Sequence, residues 1–279
     1  MLLTGCASTI LLHPLIARNA VAHRPIDPVE NGDRPEAVIV TNASGHKLFG
    51  WAFASPKNHG VVLVGDGNAS GIAHTYDYNR FLLHNGLNVV FLGYQGFDSN
   101  EGRADLGSLS GDTDAFYRFC QERFPGQPIA LVGESLSAGV FLCFAAGHHE
   151  ITCMVLEGAV DLKRVAFTHL YESWLLYPFF PITFPAAMII SAGVPADLSA
   201  QRALAREPPM PVLFIHHPGD PVTPYSDARR IFERYDGPKE FVVPRIEPTR
   251  GFHMTGNFDS AVCSRVIRFL ETGGRHWSP

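Results

Sequence analysis

The sequence predicts an α/β fold in which helices cover both faces of a mainly parallel, twisted sheet. Three observations carry this. Several short runs, such as Gly60–Val64, Leu87–Tyr94 with Asn88 its one polar residue, and Pro128–Val132, are continuously apolar instead of alternating, as strands buried on both faces are. Each is followed by a stretch with helical spacing, which gives the strand–helix alternation of a parallel sheet. Turn residues gather just after the strands, at Gly65–Ser70, Gly96–Ser99 and Ser135, where binding sites of such sheets form. With 279 residues, 46% of them hydrophobic and 18% charged, the chain suits one large α/β domain or two small ones.

Residues 1–35 stand apart from the domain. Leu3-Thr4-Gly5-Cys6 resembles the lipobox of bacterial lipoproteins, in which the cysteine is lipidated after cleavage. No basic stretch and no full apolar stretch precedes Cys6. Either the true start lies upstream, or the match is accidental in a cytosolic protein. The Ala-Ser that follows and the irregular stretch after it favour the first. The expectation is a lipid anchor on Cys6 at the bacterial cell envelope, with a cytoplasmic location as the alternative. Pro14, Pro25, Pro28 and Pro35 break any long helix in the arm, although Leu11, Leu12, Leu15 and Ile16 can pack a short one.

The domain spans 36–279. Ala37–Thr41 and Lys47–Ala54 read as a hairpin around Asn42-Ala43-Ser44-Gly45. A buried strand ends at Gly65, and a helix follows over Ala73–Asn85, closed by Gly86. The strand Leu87–Tyr94 comes next, then a helix over Ser108–Phe124 that Pro125-Gly126 stops. Beyond the Ser135 strand lie a helix to about Gly147 and a strand at Thr152–Gly158. Residues 160–209 break the rhythm. Trp174–Ile190 is uncharged and rich in aromatics, but Pro178, Pro181 and Pro185 argue against a membrane span. It reads as a lid with an apolar inner face or as a buried connection. In the lid reading Trp174, Tyr177 and Phe180 are the substrate-binding candidates. The sheet resumes at Pro211–His216, a helix spans Tyr225–Tyr235, Glu240–Pro244 is the last strand, and Gly256–Glu271 closes the domain as a helix.

The formal net charge of −5 suggests no nucleic-acid surface. The five cysteines show neither Cys-x-x-Cys pairing nor metal-ligand spacing, so no metal site is expected. Cys120, Cys143, Cys153 and Cys263 sit in apolar segments and read as small buried hydrophobes.

The chemistry centres on Gly133-Glu134-Ser135-Leu136-Ser137-Ala138-Gly139. A strand that ends at a serine and passes at once into a helix needs very small residues two before and two after it, here Gly133 and Ser137. The hydroxyl then stands on the turn, and the amide of Leu136 points from the helix N-terminus at whatever the serine attacks. A serine needs a base, and the base needs an acid to hold its tautomer. The chain supplies Asp220 after the next-to-last strand and His253 after the last.

The order Ser–Asp–His resembles that of the α/β-hydrolases. The chain from about Glu36 to Glu271 is similar to that family in its elbow, in the acid segment His217-Pro218-Gly219-Asp220-Pro221-Val222-Thr223-Pro224 and in Gly251-Phe252-His253. Asp66-Gly67-Asn68-Ala69 resembles the family's oxyanion loop, with Asp66 in place of His. Tyr94-Gln95-Gly96-Phe97 resembles its Tyr-Arg-Gly-Tyr turn. The resemblance is to small serine hydrolases with short lids, lysophospholipase- or acylaminoacyl-peptidase-like. It implies a catalytic triad of Ser135, Asp220 and His253, an oxyanion hole from the amides of Asn68 and Leu136, and no cofactor. The expected substrate is an acyl ester, thioester or lipid. A peptidase of the same fold and a non-catalytic lipid-binding envelope lipoprotein are the alternatives. Asp161 is a second candidate for the acid. Asp66 either places a charge near the oxyanion loop or accepts from backbone amides. Glu134 reads as a structural group beside the nucleophile, His216 as a strand or rim residue, and His148 and His149 as caps of a helix end.

Overall fold

The computed structural model describes residues 27–29, 31–68, 71–98, 100–171, 180–206, 210–249 and 253–274. Cys6, Trp174 and Tyr177 lie outside them.

Eight strands form one sheet in the order β1-β2-β4-β3-β5-β6-β7-β8. β1 (Glu36–Thr41) and β2 (Lys47–Phe53) form the expected hairpin, and β2 is also antiparallel to β4 (Asn88–Phe91). The remaining strands, β3 (Val61–Gly65), β5 (Ile129–Glu134), β6 (Ile151–Glu157), β7 (Val212–Ile215) and β8 (Lys239–Val242), run parallel to their neighbours, β4 included. The side chain of Asn42 accepts from the amides of Ser44 and His46, at 3.0 Å each, which fixes the hairpin turn.

The period of two along each strand divides the core into two layers. Leu63, Leu131 and Phe214 face one, with Phe116 and Tyr117 of α2 (Leu109–Arg123) and Phe141 of α3 (Leu136–Ala145). Val62, Val64, Val132 and Ile215 face the other, with Tyr76 of α1 (Ile72–Asn79) and Val262, Val266 and Phe269 of α8 (Ser260–Glu271). Two buried faces explain why Val61–Val64, Ile129–Val132 and Val212–Ile215 are apolar at every position. Cys120 and Cys153 are buried as expected, Cys143 and Cys263 are partly buried, and all four are free thiols.

Three boundaries differ from the sequence reading by more than two residues. The helix expected over 73–85 is α-helical only through Asn79 and continues as a 3₁₀ turn, Arg80–Asn85, closed by Gly86 in the left-handed region. The expected strand 87–94 pairs only through Phe91, because the chain turns at Tyr94, whose carbonyl accepts from Phe97 at 3.1 Å. The last helix does not start at Gly256. A short 3₁₀ turn, Gly256–Phe258, comes first, and Asp259 then caps α8 by accepting from Ala261 at 3.0 Å and Val262 at 3.4 Å.

Residues 160–209 hold α4 (Leu162–Tyr171), α5 (Phe180–Ala192) and α6 (Ala200–Leu204). Phe167 of α4 meets Phe184 of α5 edge to face, and the Ser191 hydroxyl donates to the Lys163 carbonyl at 3.0 Å. Phe184, Met188 and Ile189 leave an apolar strip on α5 exposed. Among the described residues no helix is long and apolar enough to cross a membrane. In chain order α7 (Tyr225–Arg234) connects β7 to β8.

Candidate active site

Ser135 sits between β5 and α3 with φ 51° and ψ −106°, a conformation that L-residues avoid. Strain of this kind costs on the order of 1–3 kcal/mol, and the surroundings must enforce it. Two close approaches do so. A Cβ on Gly133 would come within 2.8 Å of the Ser137 carbonyl, so only glycine lets helix and strand cross here. The Ser135 amide is held by the Glu157 carbonyl on β6 at 2.8 Å.

Ser137 is more than a small residue at this crossing. Its hydroxyl donates to the Asp66 carbonyl at 2.5 Å, its amide donates to the same oxygen at 3.3 Å, and Tyr94 Oη lies 2.9 Å from its Oγ. Gly65 has no room for a side chain, since a Cβ there would meet Ser137 Oγ at 2.6 Å. The loop that carries Asn68 is thereby stitched to the first turn of the helix that starts at Leu136. The first amides of a helix have no intrahelical partner and are the natural donors to a developing negative charge.

Asp66, the residue in place of the histidine, is fully buried. Its Oδ2 accepts from Gly71 at 3.1 Å, and its Oδ1 has no hydrogen-bond partner among the described residues. Burial first, and the nearby Asp98 carboxylate second, hold its pKa well above the usual carboxylate value. Asp66 thus accepts a backbone amide, and its burial favours the uncharged form over a charge set against the loop.

Asp220 and His253 are brought together. His253 Nδ1 lies 3.2 Å from Asp220 Oδ2, with the two side chains 13% and 1% exposed, so the pair is largely shielded from water. Asp220 accepts from more than the histidine. The Val222 and Thr223 amides reach Oδ1 at 2.7 and 2.9 Å, and the Thr223 hydroxyl reaches Oδ2 at 2.6 Å. Burial alone would raise the carboxyl pKa. The hydrogen bonds from His216 and His253, the charge of His253 and the Thr223 hydroxyl outweigh it and hold Asp220 ionised, well below the usual carboxylate range. An anion there holds the imidazole in the tautomer that leaves Nε2 free to take a proton.

His216 is decided between its two sequence readings. Of the two readings, strand or rim, the strand one fits, since its amide donates to the Val242 carbonyl of β8 at 3.1 Å; the side chain is not on a rim but buried, with Nε2 3.1 Å from the Thr223 carbonyl and 3.5 Å from Asp220 Oδ2. The signal in the sequence was its position four residues before Asp220, across the loop that leaves β7. Asp161 accepts from the amides of Lys163 and Arg164 at 3.1 and 3.4 Å and so caps α4. His148 caps the end of α3 through Nδ1 and the Phe144 carbonyl, 2.8 Å apart. Glu134 is buried beside Ser135 and accepts from Asn79 at 2.6 Å and Asn257 at 2.5 Å. Of the substrate-binding candidates, Phe180 opens α5, and Trp174 and Tyr177 fall outside the described residues.

No family model matches the chain. In sequence it is similar to YfhR of Salmonella typhimurium, an uncharacterized protein, at 27% identity over 94% of this chain and 91% of that one. It is similar to the Mus musculus lysophosphatidylserine lipase ABHD12 at 24% identity over 68% of this chain, and spans 49% of that protein. Among solved structures, the Pyrococcus furiosus esterase Pf2001 superimposes with a TM-score of 0.70 at 18% identity, over 90% of this chain and 95% of that one. With its strand order and helices on both faces, the chain has an α/β-hydrolase fold.

Proposed function

We propose that the chain is a serine hydrolase that cleaves acyl esters or thioesters, with Ser135 as nucleophile, His253 as base and Asp220 as the acid that orients it. The observation that carries the reading is the shielded Asp220–His253 hydrogen bond, at the same end of the sheet as a serine on a strained strand-to-helix turn. In the first step Ser135 Oγ attacks the carbonyl carbon and His253 Nε2 takes its proton. The amides of Leu136 and Asn68 receive the oxyanion. The alcohol or thiol leaves with the proton from His253. Water then attacks the acyl-enzyme, again through His253, and frees the acid. One oxyanion donor is typically worth about 3–4 kcal/mol.

The apolar strip on α5 and the lipase among the sequence relatives favour a substrate with an acyl chain, of the lysophospholipid kind. Lipidation of Cys6 would hold the domain at the bacterial envelope, near such substrates. Uptake of labelled palmitate by the full-length protein, lost in Cys6→Ser, tests that part separately.

The decisive experiment is labelling with a fluorophosphonate probe, the modified peptide being located by mass spectrometry. Modification at Ser135, absent in Ser135→Ala, is the expected result, and p-nitrophenyl esters of increasing chain length then define the acyl preference. A folded protein that takes no label and cleaves no ester would overturn the reading. Amide cleavage at rates comparable to ester cleavage would replace it with a peptidase.

A further inference from the structure

Glu157, the last residue of β6, contacts both halves of the site. Its main-chain carbonyl accepts the Ser135 amide at 2.8 Å. Its side-chain Oε1 accepts the amide of Gly256, three residues past His253, at 2.7 Å. In register beside it on β5 is Glu134, the residue before Ser135, which accepts from Asn257 in the same segment. We propose that Glu157 is a positioning residue that joins the nucleophile's turn to the segment bearing the base, so that Ser135 and His253 keep one relative placement. The proposal rests on the reading of those two residues given above.

The fit at this joint is close. Glu157 is buried, and a Cβ on Gly256 would lie 2.9 Å from Glu157 Oε2 and 2.8 Å from Ile215 Cγ2. No side chain can enter between carboxyl and loop, and the amide of Gly256 has the β6 side chain as its acceptor. The titratable groups facing Glu157 are Glu134 from β5, Asp220 from the loop after β7 and Cys263 from α8. Burial, then Glu134, pushes the Glu157 pKa up to about 8 against the Gly256 hydrogen bond that lowers it, so at neutral pH the side chain is an uncharged acceptor. Glutamine is then its close mimic, and ionisation sets a second charge against Glu134 and Asp220 and draws water into the joint.

The test uses fluorophosphonate labelling rates and p-nitrophenyl butyrate kinetics on the wild type, Glu157→Gln, Glu157→Leu and Gly256→Ala. Glu157→Gln should keep kcat within about threefold at pH 7, and the fall of kcat expected of the wild type above pH 8 should be absent in it. Glu157→Leu should lose about 100-fold in kcat with KM changed less than threefold, the scale expected when a reacting group is displaced by about 1 Å. Gly256→Ala pushes on the same joint from the other side and should lose at least about tenfold in kcat. If Glu157→Leu does not fold, the kcat of Gly256→Ala and the pH profile of Glu157→Gln decide. Wild-type kcat and labelling in Gly256→Ala, and in Glu157→Leu where it folds, with a pH profile in Glu157→Gln unchanged from the wild type, would overturn the role of Glu157 and leave the hydrolase reading standing. A wild type that neither labels nor turns over would overturn both.

Discussion

His216 Nε2 stands 3.5 Å from Oδ2 of Asp220, the same oxygen that receives His253 Nδ1 at 3.2 Å, so one carboxylate is shared by two histidines. The second is fixed by its surroundings. His216 Nδ1 is buried with no partner among the described residues, and Nε2 faces the Thr223 carbonyl at 3.1 Å. The proton therefore belongs on Nε2, where a carbonyl and a carboxylate oxygen accept it.

Replacing His216 by alanine removes that donor, which deprives the buried Thr223 carbonyl of its partner and Asp220 of one of its neighbours. The cost should be about 1–3 kcal/mol of stability. Because Asp220 loses one of the groups that hold it, kcat/KM should also fall by roughly tenfold. Thermal melts and ester kinetics of His216→Ala check both. Wild-type values in the two together would show that the Thr223 hydroxyl and the two loop amides hold Asp220 unaided.

Ser137 supports a second prediction. Its hydroxyl ties the Asp66 carbonyl to the helix that starts at Leu136. Ser137→Ala keeps the small volume that the crossing at Gly133 demands and removes this tie together with the 2.9 Å contact to Tyr94 Oη. The loop bearing Asn68 should loosen, lowering kcat by about tenfold, on the scale of part of one oxyanion donor, with little change in KM. Steady-state kinetics, with the rate of fluorophosphonate labelling as an independent readout, decide this.

The sheet was legible because its central strands are buried on both faces, and a short continuous apolar run such as Val61-Val62-Leu63-Val64, bounded by glycines, suits a strand covered on both sides. The elbow was legible because sterics at Gly133 dictate residue size. Less visible were relations between residues far apart in the chain. Nothing local in Glu157 announces that its carboxyl meets Gly256, 99 residues on. His216 reads as a strand end until the loop after β7 folds back over it. The break at Asp259 was missed because helical spacing of apolar residues runs through it, whereas the cap depends on a side chain turning back on its own backbone.

Asp66 supplies a prediction about stability. Its pKa is raised in the folded state by burial and then by Asp98. A carboxyl of this kind contributes most below its unfolded value of about 3.8, and the contribution is lost as pH rises through the folded value. Asp66→Asn keeps an acceptor for the Gly71 amide and has no proton to lose. The variant should melt higher than the wild type at neutral pH, by a few degrees for each kcal/mol recovered, with a smaller gain near pH 4. A melting temperature below the wild type at every pH would mean that the carboxyl's own geometry, not its protonation, is what the loop requires.

Glu134 extends the argument to the floor of the site. Burial raises its pKa from 4.5 to about 7, against the hydrogen bonds from Asn79 and Asn257 that lower it. The sign follows as for Asp66. Between pH 4.5 and 7 the folded chain binds a proton that the unfolded chain has released, so stability falls as pH rises across that window, by roughly 3 kcal/mol in total for this one group. Glu134→Gln keeps the oxygen that Asn79 and Asn257 use and removes the titration. Its melting temperature should decline less steeply than that of the wild type between pH 5 and 7, the fall that remains coming from Glu157 and Asp66, whose pKa values are also raised by burial. The two curves should converge at the acidic end and separate toward pH 8. Parallel curves would show that the carboxylate stays charged in the fold, with the two asparagine amides outweighing its burial.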